Sequence, residues 1–299
     1  MSDHLKGLLI TTLAVLFVVP DSLFVRLIDA GQLTTAFWRG ITSGGLILAG
    51  LLFWQGTRGF APIFRTGWPG LIYIVLMGAT APGFVFAVSQ TSVANVVFIF
   101  ASIPIFAAVF SRIFLGEPIS RRLILTMAVV LVGLGIIAYG SHESQIASWR
   151  GDLWALGVAA SYAAALTAVR RLRATSMIPA IPIAYIGAAL VMWPMADPGP
   201  AFTVQWPLFL GHGAFIAMAT CLLTLGPRYI TSAEVSLLIL LESVLAPLLV
   251  WIVVGEDPGR WAILGGAVVI GALFVSNLWA LMHQRRLRNR PQPRTGPPV

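Results

Sequence analysis

Glu242 stands near the middle of an apolar run from Ser232 to Val254. An ionised carboxylate at that depth in hydrocarbon costs roughly 3 kcal/mol or more unless it faces protein or water. Such a group can bind an ammonium ion or take up and release a proton; its structural alternative is a neutral acid hydrogen-bonded between helices. Asp21 follows Pro20 in the second half of the first apolar run, and Arg39 lies a similar distance into the next one. Antiparallel neighbours place the two at comparable depth. They either pair with one another, as a vestibule lining or a purely structural bridge, or separately meet the two charged ends of a zwitterion. Arg39 alone also has the reach to snorkel to the interface.

Asn95 falls in the first turn of another run, after Thr91-Ser92, and Glu234 in an equivalent place after Thr231-Ser232. The hydroxyls suit helix caps and the Glu234 carboxylate complements a helix dipole, while Asn95 is placed to contribute to an outer gate. Trp38, Phe84, Phe98 and Tyr162 offer flat apolar walls for a metabolite side chain, although aromatics also anchor helices at membrane interfaces. Pro20, Pro82-Gly83, Pro104 and Pro247 free backbone carbonyls inside the runs and so mark kinks or hinges. Gly40 and Gly44 form a small-residue face for close helix packing or a dimer.

The elements that must carry these residues follow from composition. Of 299 residues, 58% are hydrophobic and 10% charged, with a mean hydropathy of +0.89. That is the usage of an integral membrane protein. Charges, Gly/Pro clusters and gaps divide the chain into ten spans near 5–28, 33–55, 68–89, 93–115, 120–140, 151–172, 178–196, 207–227, 232–254 and 260–282. The first run is about 24 residues long, longer than the apolar core of a cleaved leader, and is read as a retained helix. Of the 19 Lys and Arg residues, all but Arg26, Arg39, Arg150 and Arg260 fall on one side of this arrangement. The bias places both termini in the cytoplasm of a bacterial-type inner membrane.

Gly116-Glu117-Pro118 and Gly255-Glu256-Asp257-Pro258 close two of the runs, and the chain between them echoes itself. A shift of 139 residues pairs Thr91-Ser92-Val93-Ala94-Asn95 with Ile230-Thr231-Ser232-Ala233-Glu234; a shift of 144 pairs Arg26 with Arg170. The expected organisation is a five-helix repeat over 1–145, a second over 146–283, and a basic flexible tail over 284–299. Five is odd, so the repeats are inverted. Two similar inverted halves can exchange conformations and open a central site first to one side and then to the other.

Trp38-Arg39, Thr91 to Asn95 leading into Pro104, and Phe114-Leu115-Gly116-Glu117 resemble the drug/metabolite transporter superfamily, in particular its EamA-like family. So do Tyr162 to Arg170, Ser232-Ala233-Glu234, Glu242 and Gly255-Glu256 in the second half. The resemblance covers roughly residues 5 to 280. Two places depart from it: Val18-Val19-Pro20-Asp21 where Trp-Gly-Ser is frequent, and Ser243 where a proline commonly follows the glutamate. The resemblance implies export of small metabolites, first among them amino acids, aromatic or otherwise apolar. Amphipathic drugs and nucleobase-like metabolites are the alternative substrates, and a polytopic intramembrane enzyme is the alternative from another class.

No His-Glu-x-x-His metal motif and no phosphate-binding Gly-x-x-x-x-Gly-Lys loop is present. No enzyme, cofactor or metal is therefore expected, and transport would be secondary or facilitative. Of four histidines only His212 falls within a span, near its outer end as parsed. The net charge of +8 sits in short clusters between apolar runs and in the tail, a pattern that suits anionic lipid rather than nucleic acid. Cys221 is the single cysteine, so no intrachain disulfide can form. The expected partners are a small-molecule substrate, lipid and a coupling proton, with the chain monomeric or homodimeric.

Overall fold

The computed structural model describes residues 3–119, 121–140, 147–172, 175–225, 229–230 and 232–288. Within them the regular structure is helical. The helices are α1 (Asp3–Val18), α2 (Asp21–Leu27), α3 (Gln32–Gln55), α4 (Gly67–Gln90), α5 (Val93–Phe100), α6 (Ile103–Leu115), α7 (Arg121–Gly140), α8 (Trp149–Arg170), α9 (Ala180–Met192), α10 (Pro198–Leu225), α11 (Ser232–Val254) and α12 (Arg260–Arg288). Taking α1 with α2 and α5 with α6 as single broken spans gives ten crossings. Eight are long and apolar enough to span by themselves, and the shorter apolar helices Ala180–Met195 and Leu238–Val254 supply the other two. An even count returns both termini to one side, called here the terminal face; the other is the distal face.

The breaks follow the prolines. Pro20 has no N–H to offer the carbonyl one turn back, so α1 stops and α2 restarts at Asp21. Pro104 sits in the first turn of α6, just past the interruption at Ala101-Ser102. Pro207 kinks α10, where Gln205 leaves helical geometry at φ −117° and ψ 20°. The eighth span was expected near 207–227; a short helical stretch from Pro198 precedes it and joins it at this kink. Gln205 fastens that bend by receiving the Asp29 N–H (2.9 Å) and donating to the Asp29 carbonyl (2.8 Å). α12 passes its expected end at 282, so residues 284–288 of the basic tail extend the helix. The remainder of the tail, 289–299, lies outside the described residues.

The repeated glycines share one geometric role. Gly116 and Gly255 both adopt left-handed backbone, with φ of +70° and +78°, directly after a helix end. That conformation suits glycine and stops a helix abruptly.

Inter-helix packing obeys the same repetition. Replacing every span by the one five places later converts the α4–α8 contact into α10 against α1 and α2. It converts α3–α10 into α9–α4, and α8 against α5 and α6 into α11 against α1 and α2. The pairs α3–α9, α7–α12 and α5–α11 map onto themselves. The chain is thus an all-α polytopic membrane protein of two inverted five-helix repeats, each incomplete without the other. Large apolar side chains such as Leu125, Val132, Phe274 and Val275 remain exposed on the outer helices, where lipid is their solvent.

Small residues let the helices approach. A Cβ on Gly40 would lie 2.8 Å from the Tyr185 carbonyl of α9, so the Gly40/Gly44 face is spent inside the bundle. At the α7–α12 seam a Cβ on Gly133 would lie 2.9 Å from the Gly265 carbonyl, and one on Gly265 2.6 Å from the Gly133 carbonyl. Gly133→Ala and Gly265→Ala are therefore each expected to destabilise the fold by about 1–3 kcal/mol, read as a lower thermal-unfolding midpoint in detergent. Gly135→Ala, on the same helix but facing open space, is expected to leave the midpoint in place.

Candidate functional site

The break at Pro20 places Asp21 at the start of α2 and turns it inward, where it is 5% exposed. Arg39, in the second turn of α3 and 6% exposed, meets it with two hydrogen bonds: NH2 to Oδ2 at 2.7 Å and Nε to Oδ1 at 3.1 Å. The third member is His212, wholly buried on α10, with Nε2 2.5 Å from Asp21 Oδ1. An ionised carboxylate accepts only, so Nε2 carries the hydrogen. Nδ1 then has no partner among the described residues. Phe24 stacks on the imidazole at a centroid distance of 5.3 Å, and the Arg39 guanidinium lies over the Phe84 ring at 5.0 Å. Three spans from both repeats are thereby tied to one carboxylate. His212 follows the kink at Gln205 and faces inward rather than to solvent.

Glu242 occupies the middle of α11, partly buried, and no described side chain hydrogen-bonds to it. It is within electrostatic reach of Asp21 and of Tyr162. Tyr162 in turn neighbours Tyr185 and Tyr73, two buried phenols that the sequence reading passed over. Tyr185 also interacts with the Thr220 side chain and lies near Cys221 and Arg39. A carboxylate with no hydrogen bond to a described side chain, next to a charge-paired cluster and a group of tyrosines, can receive the ammonium group of a small molecule and set an apolar or aromatic side chain against the phenols.

The remaining candidates are distributed around this centre. Trp38 stacks on Phe202 at 4.0 Å and gives its indole N–H to the Pro198 carbonyl, which ties α3 to the start of α10. Phe84 is 6% exposed and forms the floor under Arg39. Phe98 packs with Val15, Ile137 and Ala246, closing over Gly266 of α12, where a Cβ would not fit. Asn95 belongs to a distal network: its Nδ2 donates to Asp152 Oδ1 (3.0 Å), which also receives the Thr91 hydroxyl (2.7 Å). The Glu234 side chain lies outside the described residues.

The distal network continues to the repeated glutamate. Glu256 forms an ion pair with Arg26 of α2, at 2.7 Å. Its other oxygen receives the Val93 N–H at 2.7 Å and so caps α5, a favourable place for a carboxylate. Arg26 also donates to the Thr91 carbonyl at 2.9 Å. The α11–α12 connection is thus fastened to spans of the first repeat at the distal face. Two concave regions open there, of about 530 Å³ beside Gln32 and Asp197 and about 340 Å³ beside Asn95 and Arg260. Neither is lined by Glu242 or Asp21, and their chemistry is that of loop ends. Among the described residues no group of three His, Cys, Asp or Glu side chains could hold a metal ion.

Among solved structures, one crystal structure superposes with a TM-score of 0.65 at 17% identity, over 96% of this chain and 100% of its own. At that identity the likeness concerns the fold alone. Among curated proteins none matches the chain. The family model described as the EamA-like transporter family matches twice, over residues 5–139 and 149–278. With one match on each of two repeats whose packing exchanges under a five-span shift, the chain belongs to the EamA-like transporter family.

Proposed function

We propose that this chain exports small metabolites, amino acids before others, across a bacterial-type inner membrane by alternating access, with both termini cytoplasmic. The observation that carries the reading is Glu242: a carboxylate at mid-span, free of hydrogen bonds to described side chains, beside a cluster in which Asp21 and Arg39 already balance each other. A substrate ammonium is the complement that such a group lacks. Tyr162 and Tyr185 suit an apolar or aromatic substrate side chain. Residues 1–145 and 146–283 act as the exchanging halves, and the Arg26–Glu256 and Asn95–Asp152 contacts close the distal side in the present state.

Transport in proteoliposomes tests this directly. Saturable counterflow of phenylalanine, tryptophan or leucine is expected, with nucleobases and cationic drugs as competing probes. Flux that rises linearly without counterflow would indicate a channel, and a chemically altered product would indicate an enzyme. Glu242→Gln is expected to lower counterflow at least tenfold while leaving the thermal-unfolding midpoint close to that of the parent. Normal counterflow by that variant at every pH would remove Glu242 from the site.

Asp21 and Arg39 separate a stability role from a transport role. Arg39→Leu leaves a buried carboxylate with only His212 to face it and is expected to cost about 3–5 kcal/mol. Adding Asp21→Leu removes the orphaned charge and is expected to recover much of that loss in thermal unfolding without restoring counterflow.

A further inference from the structure

Resting on the reading of Glu242 as the substrate site, we propose that the substrate this site prefers carries one net positive charge: an amine with an aromatic or apolar body and no free carboxylate. An amino acid whose carboxylate is lost or amidated fits that description better than the free zwitterion does. The inference follows from the charges at the centre of the bundle. Asp21 and Arg39 cancel: both are buried, and two hydrogen bonds of 2.7 and 3.1 Å hold guanidinium against carboxylate. His212 adds no charge. Its Nε2 hydrogen goes to Asp21, and a second hydrogen on Nδ1 would be buried with no acceptor among the described residues. Glu242 is the acid left over, and the charged side chain within its electrostatic reach is another carboxylate, Asp21. With Glu242 ionised the set carries one negative charge, which one ammonium group neutralises.

The same inventory has no cation to spare for a second anionic group. Arg39 is buried, with Asp21 along its edge and the Phe84 ring 5.0 Å from its plane. Every other Lys and Arg on the described helices stands in a first or last turn, toward a membrane face. A zwitterion is neutral as a whole, so it brings Glu242 an ammonium but leaves the negative charge of the set in place. Its carboxylate must then sit close to Glu242 and Asp21 at low dielectric, where like charges repel strongly. Phenol hydroxyls can donate to that carboxylate but bring no charge. A cation without a carboxylate meets neither penalty.

The walls suit such a cation. Glu242 and Tyr162 both keep partial exposure at mid-span and lie within electrostatic reach of one another. Tyr162 is followed by the buried phenols of Tyr185 and Tyr73. The faces of these rings are electron-rich and attract an ammonium group, and the same rings bury an aromatic or apolar body.

The test is isothermal titration of the full-length protein in neutral detergent, at about pH 6.5, below the usual range of an α-amine. The probes share one ring: phenethylamine, phenylalaninamide, phenylalanine and 3-phenylpropionate. Phenylalaninamide keeps the size of phenylalanine and removes only its carboxylate charge. Phenethylamine and phenylalaninamide are expected to bind about tenfold or more tighter than phenylalanine, and 3-phenylpropionate to show no saturable heat. Any smaller preference for the amide in the parent protein, or saturable binding of 3-phenylpropionate, overturns the inference while leaving a substrate site in place. Glu242→Gln is expected to erase the preference, leaving amide and amino acid within about threefold of one another; a larger preference in that variant overturns the assignment to Glu242. Should the variant fail to fold, the ranking of the probes by the parent protein decides alone. Absence of binding by every probe removes the transport reading of Glu242, and the inference with it.

Discussion

Asp21 is one carboxylate inside hydrocarbon, and the centre of the bundle is arranged around keeping it charged. An isolated ion there would be prohibitive, so it must be met by cations and donors with good geometry. Arg39 from the next span and His212 from the eighth meet it at once. That requirement dictates the break at Pro20, which turns the carboxylate inward. It also depends on Gly213, which brings α10 close enough to α3 for His212 to arrive at the same point. A cluster of this sort contributes little net stability once its desolvation is counted. Its effect is to specify which helices are neighbours and in which rotation.

The rest of the polar inventory follows the inverted repeat. At the distal face Glu256 caps α5 and pairs with Arg26, while Asp152 gathers Thr91 and Asn95. Each of these contacts crosses between the repeats, so the distal network belongs to neither half alone. A transporter needs such seams to be specific yet reversible, and hydrogen bonds with ion pairs near an interface meet both needs better than deep apolar packing. The α7–α12 seam is of the other kind, glycine against glycine with backbones in contact, and suits an element that moves as one body.

Much of the fold was legible in the chain. Apolar runs of about 20 residues announce spans because hydrocarbon demands internally satisfied backbone. The Gly116/Gly255 echo was legible because an abrupt helix end requires a left-handed residue that glycine adopts freely. Asp21 and Arg39 were legible as a pair through their equal depth on antiparallel neighbours. His212 was not, because its partner Asp21 lies 191 positions away along the chain. Tyr73 and Tyr185 were hidden for a different reason: a tyrosine in a membrane span gives no indication of whether it faces lipid, interface or protein. Glu256 and its partner Arg26 are 230 positions apart along the chain, so the pair could not be read from it.

The sequence by itself determined the number of spans, their alternation across the bilayer and the inversion of the halves. Those properties depend on hydropathy, charge and repetition, which are written along one dimension. The tertiary structure alone decided that Asp21 is shared by Arg39 and His212, that Glu256 pairs with Arg26, and that no described side chain hydrogen-bonds to Glu242. Each of these depends on which helices lie side by side and how far each is rotated about its axis. Close packing at a few glycines and the need to neutralise buried charge set both, and neither can be read from one helix at a time.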